Sequence, residues 1–305
     1  MAASTLIIEH LVTLMARSIR PAAWLTPPSV CRNIGRRLGS LIFRINSRPR
    51  RIAHINIKFA LQNEVTDTQA MEMVHRNFQQ WGMIALEWSK LPGLNKALQV
   101  PEPVGFEVVG RSHWQKVKQE SNAVLLLGAH FGNWEYCHGY YASKLDRLNF
   151  IVRSINNKYI EKHRLACNTR LGVNILYKDG GLKPAIKNMR KGQDLIVFAD
   201  QNVNEAEGVE CRFFGYRTST LAIVASLAKK YGLPVLPMFC VRKDNSGIHQ
   251  ITFQEPLAID RHVTIPEIGQ MQNDVIEKMV RAHPDHWLWM HRKWKHYHPE
   301  IYRAI

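Results

Sequence analysis

The segment Gly128–Glu135, GAHFGNWE, places a histidine, two glycines and a carboxylate within one short stretch. An alcohol attacks a carbonyl poorly until a base removes its proton, and neutral imidazole does this near physiological pH. A neighbouring carboxylate fixes the tautomer and supports the imidazolium that forms, the part aspartate takes in serine-hydrolase triads. His130 and Glu135 are therefore read as catalytic base and orienting acid, with the attacking oxygen supplied by an acceptor substrate. Gly132 permits a tight approach, and backbone N–H groups near 131–134 could stabilise a developing oxyanion. On one helix the two side chains would stand about 140° apart. The pair thus requires His130 at a strand end and Glu135 in the first turn of the following helix. The same residues also fit a strand-end histidine held by a hydrogen bond beside a glutamate that caps a helix.

The elements around this segment supply that strand and helix. AVLLLGAH (123–130) is a short apolar run, as expected of a strand buried on both faces. Further strands are expected at 149–153, 173–178, 194–200, 233–241 and 249–254. Helices are expected at 66–90, 158–170, 182–192, 220–232 and 265–282, with Gly192 and Gly232 as stops. Pro92, Pro101 and Pro103 mark a linker or loop. Strands alternating with helices predict an α/β fold with a mostly parallel central sheet flanked by helices, beginning near 106. In such sheets, ligand sites lie beyond the carboxyl ends of strands, where His130 falls.

The formal charge of +16 is uneven: residues 1–60 carry ten Arg or Lys and a single acid, Glu9. This attracts anionic partners, including lipid headgroups, an acidic carrier protein and nucleic acid. TLIIEHLVTLMARSIR (5–20) and RRLGSLIFRI (36–45) interleave apolar side chains with arginines, and SRPRR follows at 47–51. Neither apolar run reaches the roughly 18–20 residues needed for a clean crossing of a bilayer. An interfacial amphipathic helix fits better, and the alternative is a helix packed on its own domain beside a solvated basic face. Residues 1–60 are accordingly expected as a membrane-associating helical region and 61–305 as the catalytic domain. Cys31, Cys137, Cys167, Cys211 and Cys240 form no CxxC pair and read as reduced thiols. The C-terminal histidines lack a compact metal-ligand spacing, and there is neither a P-loop nor a GxGxxG, so no metal or cofactor is expected.

With these motifs in view, the chain resembles the lipid A biosynthesis acyltransferase family over most of residues 35–296. The resemblance rests on His130-FGNW-Glu135 together with ordered segments. These are HINIKFAL (54–61), HRNFQQWG (75–82) ahead of Glu87, VRSINNKY (152–159), GLKPAIKNMRKGQ (181–193), ADQN (199–202), FFGYRTST (213–220) and WLWMHRKWK (287–295). It implies a glycerolipid-acyltransferase-like fold and transfer of a fatty acyl group from an acyl carrier protein to a hydroxyl of a lipid A precursor. The product would be a secondary acyl ester, made at the cytoplasmic face of a bacterial inner membrane. His130 corresponds to the general base and Glu135 to its acidic partner. Arg153 matches the arginine of a YRP-like segment, with Val152 and Ser154 as neighbours instead of tyrosine and proline. Asp200 matches an acidic position ahead of a variable residue, here Gln201, and either positions an arginine or loop or takes part directly. Thr220 falls on a threonine of local architecture. Arg292 and Lys293 lie in an HRR-like motif suited to a phosphorylated headgroup. Two other readings remain: acylation of a glycerophospholipid or another glycolipid, and a non-enzymatic basic membrane-binding protein. The resemblance makes nucleic acid an unexpected partner and says nothing of oligomeric state.

Overall fold

The structure is a computed structural model that describes residues 26–243, 247–303 and 305. Among these residues the chain order is α1 (Pro28–Ile45), α2 (Ser47–Ala60), α3 (Asp67–Ser89), α4 (Leu91–Ala97), β1 (Phe106–Val109), α5 (Arg111–Glu120), β2 (Leu125–Gly128) and α6 (Trp134–Lys144). There follow β3 (Leu148–Val152), α7 (Lys158–Leu171), β4 (Val173–Tyr177), α8 (Leu182–Met189), β5 (Asp194–Phe198), β6 (Gly208–Phe213) and β7 (Tyr216–Leu221). Then come α9 (Ile223–Tyr231), β8 (Val235–Lys243), β9 (Ile248–Phe253) and α10 (Ile265–Ala282), followed by single 3₁₀ turns at Pro284–His286 and Pro299–Tyr302.

Seven strands form one sheet in the order β1-β9-β8-β2-β5-β3-β4. All neighbours run parallel except β8 and β9, so the mostly parallel sheet expected from the alternation is present. Period-two alternation sorts side chains into two core layers. Leu125 and Leu127 of β2 join a cluster with α2, α3, α8, α9, α10 and three C-terminal tryptophans. Val124, just ahead of β2, and Leu126 face the other way, against α4, α5, α6 and α7.

Two expectations change: Pro92 lies in the first turn of α4 instead of a loop, and a hairpin shortens one helix. The helix expected over 220–232 starts only at Ile223, because Tyr216–Leu221 pairs with Gly208–Phe213 as a separate antiparallel hairpin. That strand's Thr218, Ser219 and Thr220 are buried, and Thr220 Oγ1 accepts a hydrogen bond from Asn273 on α10 at 2.8 Å. Residues 28–60 pack on the rest of the chain, as in the alternative of a helix packed on its own domain. Gly35 and Gly39 of α1 meet Gly82 of α3 so closely that a Cβ on Gly39 would lie 2.2 Å from the Phe78 carbonyl oxygen. Ala53, Ile57 and Ala60 of α2 belong to the first core layer. Residues 111–120, for which the sequence carried no expectation, form α5. The 5–20 segment lies outside the described residues, and among those described no helix is long and apolar enough to cross a membrane.

Candidate active site

β2 and β5 are parallel neighbours in a register that pairs Gly128 with Phe198. His130 and Asp200 each lie two residues past those strand ends, so the sheet delivers them side by side. His130 Nδ1 lies 3.0 Å from Asp200 Oδ1, and the His130 backbone N–H donates to Asp200 Oδ2 at 3.1 Å. Trp287 Nε1–H donates to the same Oδ2 at 3.0 Å. Burial pushes the Asp200 carboxyl up, but the charge and hydrogen bond of His130, with Lys293 and Trp287, outweigh it and hold it at about 2. An ionised Asp200 accepts a hydrogen bond from Nδ1–H and leaves Nε2 as the basic nitrogen. Gln201 Nε2 lies 3.4 Å from that atom.

The turn after His130 is fixed from two sides. Gly132 has φ +55°, and a Cβ there would fall 1.8 Å from the Cys240 carbonyl oxygen, so both its conformation and its space demand glycine. Phe131 bridges Trp287, Gly132 N–H donates to His286 O at 2.9 Å and Leu288 N–H to His130 O at 3.1 Å. Asn133 then caps α6, its Oδ1 accepting from Tyr136 N–H at 3.2 Å, while its Nδ2 donates to Glu87 of α3 at 2.8 Å. The N–H groups of Phe131 and Gly132 are both occupied by backbone carbonyls, which removes them from the expected oxyanion-binding set.

Glu135 lies in the first turn of α6 as expected, yet it makes no hydrogen bond or ion pair with His130. The carboxylate that pairs with His130 is that of Asp200, which arrives on the neighbouring strand. Glu135 is buried, and its Oε2 accepts from Asn168 Nδ2 at 3.1 Å. Burial pushes its carboxyl up, opposed by Asn168 and the charge of Arg164.

His130 and Glu135 both open on a cavity of about 1350 Å³. Its apolar side is built from α3, Trp134, β3 and Ile160; basic groups, including Arg153, Arg164, Lys178 and Lys295, line other parts. Arg153 is exposed and lines this cavity, with its backbone carbonyl held by Arg164 Nη2 at 3.1 Å. Arg292 is exposed and does not line the cavity; its neighbour His291 does. The Nδ1 of His291 is buried without a hydrogen-bond partner among the described residues. Burial and nearby positive charge outweigh Asp200 and push that imidazole down to about 4. Lys293 is wholly buried under Asp200 and pushed down to about 8 by burial, against the pull of Asp200. Among the described residues, no three His, Cys, Asp or Glu side chains gather as a metal site.

Residues 6–296 match the family described as bacterial lipid A biosynthesis acyltransferase. The chain belongs to this family. It is 23% identical over 294 residues to the lipid A biosynthesis lauroyltransferase of Escherichia coli (strain K12), covering 91% of this chain and 93% of that protein. It is 21% identical over 267 residues to lipid A biosynthesis acyltransferase 2 of Shigella flexneri, covering 87% and 83%. With the Escherichia coli (strain K12) lipid A biosynthesis myristoyltransferase, identity is 22% over 279 residues, covering 87% and 81%.

Membership in an acyltransferase family gives the segments behind the resemblance a physical reading. Asn56, in HINIKFAL, donates to the carbonyls of Trp289 and His291, both at 2.7 Å. Asn77, in HRNFQQWG, donates to those of Asp285 and Trp287 at 2.8 and 2.7 Å. Two buried asparagines on α2 and α3 thereby hold the C-terminal segment whose Trp287 binds Asp200. Sequence reasoning missed His291 and Arg164 as cavity residues. The signal for His291 was present, since the HRR-like motif begins with it.

Proposed function

We propose that this chain transfers a fatty acyl group from an acyl carrier protein thioester to a hydroxyl of a lipid A precursor, forming a secondary acyl ester. The observation that carries the reading is the His130–Asp200 hydrogen bond at the edge of a cavity with an apolar wall and basic groups. His130 Nε2 takes the proton of the acceptor hydroxyl as its oxygen attacks the thioester carbonyl. Asp200 keeps Nδ1 protonated and supports the imidazolium. Gln201 and Arg153 are the side chains available to the tetrahedral oxyanion, in place of the occupied backbone donors. Collapse breaks the carbon–sulfur bond, and the imidazolium returns its proton to the departing thiolate. Glu135 contributes a second carboxyl, whose burial favours the neutral acid, a form able to donate to the thioester oxygen.

Basic side chains suit the anionic groups of both substrates: Arg153, Arg164 and Lys178 in the cavity, with Arg292 outside it. The exposed face of α1, with Val30, Ile34, Leu41 and Ile45 among Arg37 and Arg44, supports work at a membrane surface, the cytoplasmic face of the inner membrane. The test offers purified protein acyl carrier protein thioesters together with a lipid A precursor or lysophospholipids, and localises the added chain by mass spectrometry. Acylation of the lipid A precursor, abolished by His130→Ala in a folded protein, is the expected result. Acylation of lysophospholipid alone would move the acceptor to glycerolipids, and full turnover by His130→Ala would remove the base assignment.

A further inference from the structure

One wall of the cavity is a single face of α3. Trp81, Ile84, Ala85 and Trp88 recur at i, i+3, i+4 and i+7, and all four line it. At the helical rise, the two tryptophans stand about 10 Å apart along the axis. The Trp81 end is the reaction end: its ring packs on Trp134 at 5.3 Å, and Trp134 packs edge-on to His130 at 5.6 Å. At the other end the Trp88 ring meets His163 of α7 edge-on at 4.6 Å, so α3 and α7 touch there. His163 is itself buried, and α4, which leaves α3 just after Trp88, packs on α6 and α7. Between the tryptophans stands Ala85, the smallest side chain of the face, which leaves the groove open midway.

We infer that Trp88, backed by His163, is the end wall that sets the length of the transferred acyl chain, with Ala85 giving the tail its room. The inference rests on the acyl-transfer reading and adds the residues that select the donor. A tail whose carbonyl sits at His130 runs along α3 from Trp81 toward Trp88. A chain two methylenes too long meets the Trp88–His163 contact and leaves those groups outside the groove, while one too short leaves apolar wall uncovered. Removing the Trp88 ring lengthens the groove; enlarging Ala85 shortens it.

The experiment measures relative kcat/KM for a series of saturated acyl carrier protein thioesters stepped by two carbons, with lipid A precursor as acceptor. Wild type, Trp88→Ala and Ala85→Leu are compared as full chains. Trp88→Ala is expected to shift preference to longer donors, by about fifteenfold per two-carbon step at about 0.8 kcal/mol per buried methylene. Ala85→Leu is expected to shift it to shorter ones; because Ala85 is exposed, this variant decides the matter if Trp88→Ala does not fold. Transfer by all variants with unchanged donor ratios overturns the end wall and leaves acyl transfer standing. Failure of the wild type to transfer any chain overturns the acyl-transfer reading itself.

Discussion

At the scale of single residues, the decisive geometry is a carboxylate with both oxygens committed. Asp200 Oδ2 accepts from the His130 backbone N–H and from Trp287, which leaves Oδ1 for His130 Nδ1. An amide at this position must keep its oxygen toward the two fixed donors and so turns its NH₂ toward Nδ1. Nδ1 then becomes an acceptor, the ring proton moves to Nε2, and the base is lost. Asp200→Asn is therefore expected to lower kcat by about 10⁴-fold, the effect of making a triad carboxylate into an amide. Glu135→Gln leaves the tautomer of His130 untouched and is expected to cost less. Steady-state kinetics on both variants checks this; Asp200→Asn near wild-type rate with Glu135→Gln inactive would return the orienting part to Glu135. The histidine was legible in the sequence because a strand end and its turn are local. Asp200 was named through the resemblance but not as its partner, since 70 residues separate them and only the β2–β5 register brings them together.

At the scale of elements, α3 is tied to the sheet and to the start of α6 by one buried carboxylate. Glu87 takes Arg242 of β8 in two hydrogen bonds of 2.5 and 2.6 Å, Asn133 at 2.8 Å and His249 of β9 at 3.4 Å. Burial pushes the Glu87 carboxyl up, but the charges and hydrogen bonds of His249 and Arg242 hold it well below the usual range. Burial pushes His249 down, yet Glu87 and Cys240 overcome this and raise it from 6.5 to about 9. The folded protein thus holds a proton that the unfolded chain releases between these values. This stabilisation is fully present below about 6.5 and is lost as pH rises through about 9; the gap corresponds to on the order of 3 kcal/mol. Denaturant unfolding from pH 6 to pH 10 is expected to show it as a difference between wild type and His249→Gln. A pH-independent difference would mean that His249 stays neutral. Nothing in the sequence marked these partners, because Glu87, Arg242 and His249 sit on three elements that only the packed fold brings together. Six of the seven sheet strands were legible in the sequence, and the short β1 was not. The β6–β7 hairpin was not, because Thr218, Ser219 and Thr220 are small polar residues buried where apolar ones are expected.

At the scale of the whole molecule, α1 links two surfaces. Its buried Gly35 and Gly39 press on α3, the helix whose Trp81–Trp88 face lines the cavity. Away from that contact, Val30, Ile34, Leu41 and Ile45 are between 43% and 72% exposed, spaced along one side of the helix with Arg37 and Arg44. The amphipathic pattern was legible in the sequence, which left open a membrane-associating region or a helix packed on its own domain; the glycine contacts that anchor α1 depend on a partner helix. On the proposed function a lipid acceptor reaches the cavity from a bilayer, and α1 places apolar side chains and arginines one helix away from the groove. The triple substitution Ile34→Gln, Leu41→Gln, Ile45→Gln removes half-exposed apolar surface that no core residue needs. It is expected to weaken partitioning of the full chain onto vesicles of phosphatidylethanolamine and phosphatidylglycerol by about hundredfold, at roughly 1 kcal/mol per half-exposed side chain. Added salt is expected to weaken wild-type binding further, since each arginine near an anionic surface contributes about 1 kcal/mol that ions screen. Because His130, Asp200 and the α3 face are untouched, turnover on acceptor dispersed in detergent micelles should remain that of the wild type. Vesicle sedimentation and micellar assays together separate the two surfaces: unchanged partitioning would remove α1 from the membrane, and lost micellar turnover would make its exposed face part of the active fold.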